Sequence, residues 1–446
     1  MNAKSRTRNI REGTLAAALG LIAALAIGGC GGSGGAYPES WQTPSLLPLT
    51  PVAAAYTAAD PAFEALPGAR ALFGSYEGGI YQIEVPDDWN GDTVYFAHGF
   101  RGNSTLLTVG PPPMRAYFIE RGYAWAASSY TKNGYEPGAG ARDTLALRDV
   151  FAREVRAPER EYLYGQSMGG HIVAFSLERE PDAYDGALSE CGVISGREIL
   201  DFFVSWGTLA QYMADVNLRD SLTDAKAFAA RMANEVVPKL GTADAPTDAG
   251  RTFASAILHL TGGERPFFRE GYAVNYALNF QILAGAVAAP GPANAAASNA
   301  GTHYAVDAGL SIDAETLNRE IPRVAANAAY RDPERYPEFA DLTGEITVPV
   351  MSIHGTGDVF VPISLEQSYR RTVDAAGNGD LLVQRAIRRP GHCNFSAEER
   401  VRAFEDLVAW VERGEQPEGD DLTGSLADAG RAWTTPPEPT DPGGIR

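Results

Sequence analysis

Between residues 66 and 195 the apolar positions fall in short runs, at 79–85, 93–98, 123–129, 161–166 and 185–193, with two more at 347–354 and 381–388. Runs of this length, bounded by turn residues, predict strands. Between them lie stretches at 111–121, 141–155, 168–180, 364–376 and 396–413 with helical patterning. In the last of these, Val401, Phe404, Leu407, Val408 and Val411 recur at the spacing of a one-sided helix. Strands and helices in alternation predict a mostly parallel sheet covered by helices. Residues 196–342 break that rhythm, with no strand pattern and with helical stripes such as Ile199, Phe202, Phe203, Trp206, Leu209 and Met213. An insert this long reads as a helical cap or lid over the carboxyl edge of the sheet, where open α/β folds place their sites. The α/β core is then 66–195 and 343–415.

The ends read differently. Lys4, Arg6, Arg8 and Arg11 precede an apolar run from Leu15 to Ile27, so residues 1–29 have the form of a signal peptide. That run is shorter than the roughly 20 residues a membrane span needs. Ile27-Gly28-Gly29-Cys30 resembles a bacterial lipobox, which makes Cys30 a lipidation site; an ordinary secretory signal with an incidental cysteine is the alternative. The expectation is export, as a cell-envelope lipoprotein or a secreted protein, with membrane attachment by a lipid anchor only. Residues 30–65 are rich in Gly, Pro, Ala and Ser and read as a flexible linker, and 416–446 as a disordered tail.

Composition narrows the possible partners. The chain has 446 residues, 45% of them hydrophobic, which is ordinary for a globular protein. Its net charge of −19 argues against nucleic acid, whose binding rests on Lys and Arg meeting phosphates, and leans towards neutral or cationic substrates. No metal or nucleotide motif is present, so no cofactor is expected. Oligomeric state is left open. Apart from Cys30, the cysteines are Cys191 and Cys393, a disulfide candidate in an oxidising compartment, although two buried thiols would fit the same sequence.

Gly165-Gln166-Ser167-Met168-Gly169 matches G-x-S-x-G, in which small residues let the chain turn from strand to helix and present a serine hydroxyl. In a chain with 48 glycines the pentapeptide alone carries little weight, and Gly31 to Gly35 also fits it. Context separates the two, because a strand leads into Ser167 and a helix leaves it. A serine needs a base and a group that orients that base. His392, in a loop between the last strand and the last helix, fits the chain order Ser, acid, His, whereas His171 and His259 read as packing or capping residues. Asp358, after the strand 347–354, is the candidate acid, with Glu190 as the alternative. The oxyanion donors are expected to be the backbone N–H groups of Met168 and Phe100, the latter in the loop Phe96-Ala97-His98-Gly99-Phe100, where His98 braces the turn.

Four motifs in this order, H-G-x, G-x-S-x-G, G-x-G-D and G-H, resemble those of the α/β-hydrolase superfamily over 70–100, 120–195 and 341–413. The resemblance implies an α/β-hydrolase fold and a serine esterase acting through an acyl-enzyme on a small-molecule or polymer-derived ester. The same triad would serve an amidase or peptidase, and a surface binding protein could keep the fold without activity. His392-Cys393 further resembles the tannase and feruloyl esterase group, in which the Cys after the base pairs with one before the nucleophile. Here Gln166 holds that second position, and Cys191, at the end of the strand next to the elbow strand, is expected near the His392 loop, where a bridge to Cys393 and two buried free thiols both fit the sequence. Tyr130, Phe203 and Trp206 are candidate pocket residues for a bulky or aromatic substrate, although most cap aromatics read as cap core.

Overall fold

The computed structural model describes residues 55–436. The signal segment 1–29, Cys30, the first part of the linker and residues 437–446 lie outside the described residues.

The strands are β1 (Thr57–Ala58), β2 (Ala69–Tyr76), β3 (Gly79–Pro86), β4 (Asp92–Ala97), β5 (Leu106–Leu107), β6 (Ala124–Ser128), β7 (Arg160–Gln166), β8 (Gly186–Glu190), β9 (Val350–Gly357) and β10 (Leu382–Pro390). Eight of them form one sheet in the order β10-β9-β8-β7-β4-β6-β3-β2, and β1 pairs with β5 separately. From β10 to β6 every neighbouring pair is parallel, while β3 runs antiparallel to both β6 and β2. Strands β4, β6, β8 and β9 are buried at every position, as strands covered on both faces must be. The edge strand β2 escaped the sequence pattern because its residues are only half buried and include Gly74 and Ser75.

Helices α1 (Arg115–Glu120), α2 (Pro137–Glu154) and α3 (Met168–Arg179) follow the early strands. The interval between β8 and β9 carries α4 (Glu198–Ala214), α5 (Ala225–Arg231), α6 (Val237–Leu240), α7 (Asp248–Leu260), α8 (Phe268–Ala288), α9 (Pro292–Ala296) and α10 (Ala314–Glu320). The chain closes with α11 (Ser364–Ala375) and α12 (Ala397–Arg413). One face of the sheet is covered by Leu147 and Phe151 of α2, Ile172 and Val173 of α3, and Tyr369 and Val373 of α11. The other face is covered by Phe118 of α1 and by Phe404 and Leu407 of α12. A separate core fills the helical interval, with Trp206 at its centre against Phe253 at 5.1 Å and Phe280 at 5.7 Å between ring centroids.

Two expectations at the ends need correction. Residues 416–436 are not coil in solvent: Leu422, Leu426, Ala429 and Trp433 are buried, and the segment lies along the outer edge of β10. Asp420 N–H donates to the Gln384 carbonyl at 2.7 Å, and Asp420 Oδ2 accepts from Ala386 N–H at 2.9 Å, so strand-edge groups that water would otherwise satisfy are bonded internally. The guanidinium of Arg385 stacks 3.9 Å over Trp433. The end of the supposed linker also packs, because β1 pairs with β5 and Phe63 lies 5.7 Å from Trp125 between ring centroids. Scattered single aromatics, rather than any periodicity, hold both segments down.

Candidate active site

Strand β7 runs through Gly165 and Gln166 into Ser167, and α3 begins at the next residue. Ser167 has φ 59° and ψ −118°, a backbone conformation that costs a non-glycine residue energy and lifts its side chain out of the turn. Gly169 makes the turn possible, since a Cβ there would run into the Ala97 carbonyl oxygen of β4. The Ser167 hydroxyl donates to Nε2 of His392 at 2.8 Å, and Nδ1–H of His392 donates to Oδ2 of Asp358 at 2.6 Å. The three residues follow β7, β9 and β10, at the carboxyl ends of parallel strands.

Asp358 is fully buried, and its other oxygen, Oδ1, accepts from the N–H groups of Phe360 and Val361, both at 2.9 Å. Burial alone would push its carboxyl up. The facing charge and hydrogen bond of His392, with His354 behind them, outweigh that and hold it below the usual carboxylate range. An anion accepting on both oxygens is fixed in orientation, and it fixes the ring of His392 in turn.

These observations decide the architecture: a parallel sheet, a strained serine between strand and helix, and an acid and a base on later strand ends in that chain order. The chain has the α/β-hydrolase fold. No protein-family model matches it. Among curated proteins it is similar to the o-phthalyl amidase of Xanthobacter agilis, 24% identical over 418 residues, covering 80% of this chain and 91% of that one. Among solved structures it is similar to feruloyl esterase B from Aspergillus oryzae, with 14% identity, 78% and 82% of the two chains covered and a TM-score of 0.47. It is also similar to an esterase from the same organism, with 14% identity, 78% and 80% covered and a TM-score of 0.43.

A cavity of about 430 Å³ is bordered by Ser167, Met168 and Phe100. Met168 opens α3, where the first N–H groups have no acceptor within the helix. Gly99, beside Phe100, packs directly on the Ser167 side chain. The apolar wall comes from the helical insert, with Ile199, Leu200, Phe203 and Leu283, and the polar wall includes Asn103, Asn133 and Glu136. Glu136 is the single charged side chain among the described lining residues.

Of the expected pocket aromatics, Phe203 borders the cavity. Trp206 does not, being buried in the core of the insert, and neither does Tyr130, which stacks on His98 at 3.9 Å and donates to its carbonyl at 3.1 Å. Tyr130 thus braces the loop carrying Phe100. Burial drives His98 itself down to about 3, so its ring stays neutral. Conversely, Tyr56 of the supposed linker lines the cavity.

Glu190, the alternative acid, is engaged elsewhere. It accepts from Tyr164, from Gln166 Nε2 at 3.0 Å and from Arg400 Nε at 2.9 Å. His171 lies between the Tyr135 hydroxyl at 2.9 Å and the Glu338 carbonyl at 2.8 Å, and His259 faces Asp307 at 2.9 Å. Cys191 and Cys393 are joined as a disulfide, which ties the end of β8 to the residue after His392. With both sulfurs engaged and His392 committed to Ser167 and Asp358, this cluster offers no metal ligand set.

Proposed function

We propose that this chain is a serine hydrolase of carboxylic esters that works through an acyl-enzyme. The observation that carries the reading is the unbroken hydrogen-bonded line from Ser167 through His392 to buried Asp358. In the proposed cycle Ser167 Oγ attacks the carbonyl carbon while His392 Nε2 takes its proton, and Asp358 stabilises the resulting imidazolium. The N–H groups of Met168 and Phe100 hold the oxyanion. His392 returns the proton to the leaving alkoxide, and a water molecule, activated by the same ring, releases the acid.

The cavity supports a substrate of modest size with a bulky apolar or aromatic portion against Phe203 and Leu283. Glu136 in the lining, in a chain of net charge −19, favours uncharged or cationic groups over carboxylates. Export fits the disulfide, because such bonds persist in oxidising compartments. A lipid anchor at Cys30 remains part of the same reading.

A second reading, amide hydrolysis by the same residues, is favoured by the similarity to an o-phthalyl amidase. Labelling with a fluorophosphonate tests the shared claim: wild type should react and Ser167→Ala should not. Unlabelled but folded wild type would leave only a non-catalytic binding role. Hydrolysis of an aryl ester and the matching anilide of one aromatic acid then separates the two readings through the ratio of their kcat/KM values.

A further inference from the structure

Residues 356–361, which carry Asp358, are held by side chains at four points, three of them from the helical insert. Arg265, just before α8, donates from Nε to the Thr356 carbonyl at 2.7 Å. Asn275 Oδ1 accepts from Val359 N–H at 3.3 Å, and Asn279 Nδ2 donates to the Val359 carbonyl at 2.9 Å. The fourth hold is the His354 ring, which donates from Nε2 to the Val361 carbonyl at 2.8 Å. Helix α8 can come this close because residue 271 is glycine; a Cβ there would collide with the Gly357 carbonyl oxygen.

All three insert side chains are buried. Arg265 is a buried cation that donates to the carbonyls of Thr356 and Gly263 and to the hydroxyl of Thr261, all neutral acceptors. Burial pulls its guanidinium down to about 9, and the charge of Asp358 works against that fall. Asn279 makes its bond to Val359 while its own Oδ1 stays unpartnered, an arrangement that buried polar groups rarely show without a reason.

We infer that Arg265 and Asn279 are positioning residues for the triad acid: they fix residues 356–359 so that Asp358 presents Oδ2 to His392, making α8 part of the catalytic framework rather than a lid that lifts. The inference rests on the serine-hydrolase reading. It follows that substrate reaches Ser167 past other parts of the insert, while α8 stays seated.

The test compares Asn279→Leu, Arg265→Met and Arg265→Lys with wild type on one ester, with folding checked by circular dichroism. Misplacing a catalytic group by a fraction of an ångström to one ångström commonly costs up to about 100-fold in rate, so kcat should fall about 10- to 100-fold in the first two variants. KM should stay within about twofold, and Arg265→Lys should recover part of the lost kcat, because the hold acts on the acid and not on bound substrate. Wild-type kcat in folded variants, or a raised KM at unchanged kcat, overturns the inference. If Arg265→Met does not fold, Asn279→Leu decides by the same split; if neither folds, Arg265→Lys does. Wild type that fails to react at Ser167 sinks the hydrolase reading instead, so the two failures are told apart.

Discussion

At Asp358, burial and charge pull in opposite directions, and the outcome depends on having His392 and two backbone donors in place at once. Asp358→Asn keeps the shape but offers an amide where the His392 ring needs an acceptor, which favours the wrong tautomer. The expected cost is about 10⁴-fold in kcat with little change in KM, read from steady-state kinetics on a soluble aryl ester. A loss under tenfold would mean that another carboxylate orients the base. Ser167, Asp358 and His392 were all legible in the sequence, because each sits in a short motif whose order along the chain is fixed by the fold. Tyr130 and Trp206 were misplaced because aromaticity records a preference for burial, not the direction a ring faces. Arg265 and Asn279 left no signal, since their partners are backbone groups some 80 to 90 residues away in sequence.

Among the elements, the loop between β10 and α12 matters most, since it carries His392, the proposed base. On one side Cys393 is bonded to Cys191 at the end of β8, and on the other Arg400 Nη2 donates to the Cys393 carbonyl at 3.1 Å. Cys393→Ser removes the bridge and leaves a buried thiol at Cys191. A disulfide typically stabilises by about 2–4 kcal/mol, and a loss of that size should appear in the urea midpoint, along with a lower kcat from a looser His392. An unchanged midpoint would mean that packing alone holds the loop. The strands and helices of the core were readable because each repeats a period. The segment 416–436 was not, because it satisfies β10 through isolated residues such as Asp420 and Trp433 set in a Pro- and Asp-rich stretch. Composition reports what a segment cannot do alone, and this one does not act alone.

Over the molecule as a whole, burial holds the rings of His98 and His171 neutral, and this makes folding sensitive to acid. His171 is held down to about 4 by burial, against about 6.5 in an unfolded chain. Its folded value is the lower one, so between those limits the unfolded state binds the extra proton. The stability tied to this ring is therefore complete above pH 6.5 and falls by about 1.4 kcal/mol per pH unit below it. His171→Gln lacks that term, so the stability gap between wild type and variant should narrow as pH drops from about 6.5 to about 4, measured by urea unfolding at each pH. A gap that stays constant would place solvent at the ring.

The spacing of the triad along the chain also has a consequence for how the protein comes into being. Ser167 and its base lie 225 residues apart, and at roughly 5–20 residues per second a ribosome needs roughly 10–45 s to travel between them. Throughout that interval the nascent chain carries its serine without a proton acceptor. On the proposed mechanism, hydrolytic competence waits until β10 and the His392 loop have emerged and joined the sheet.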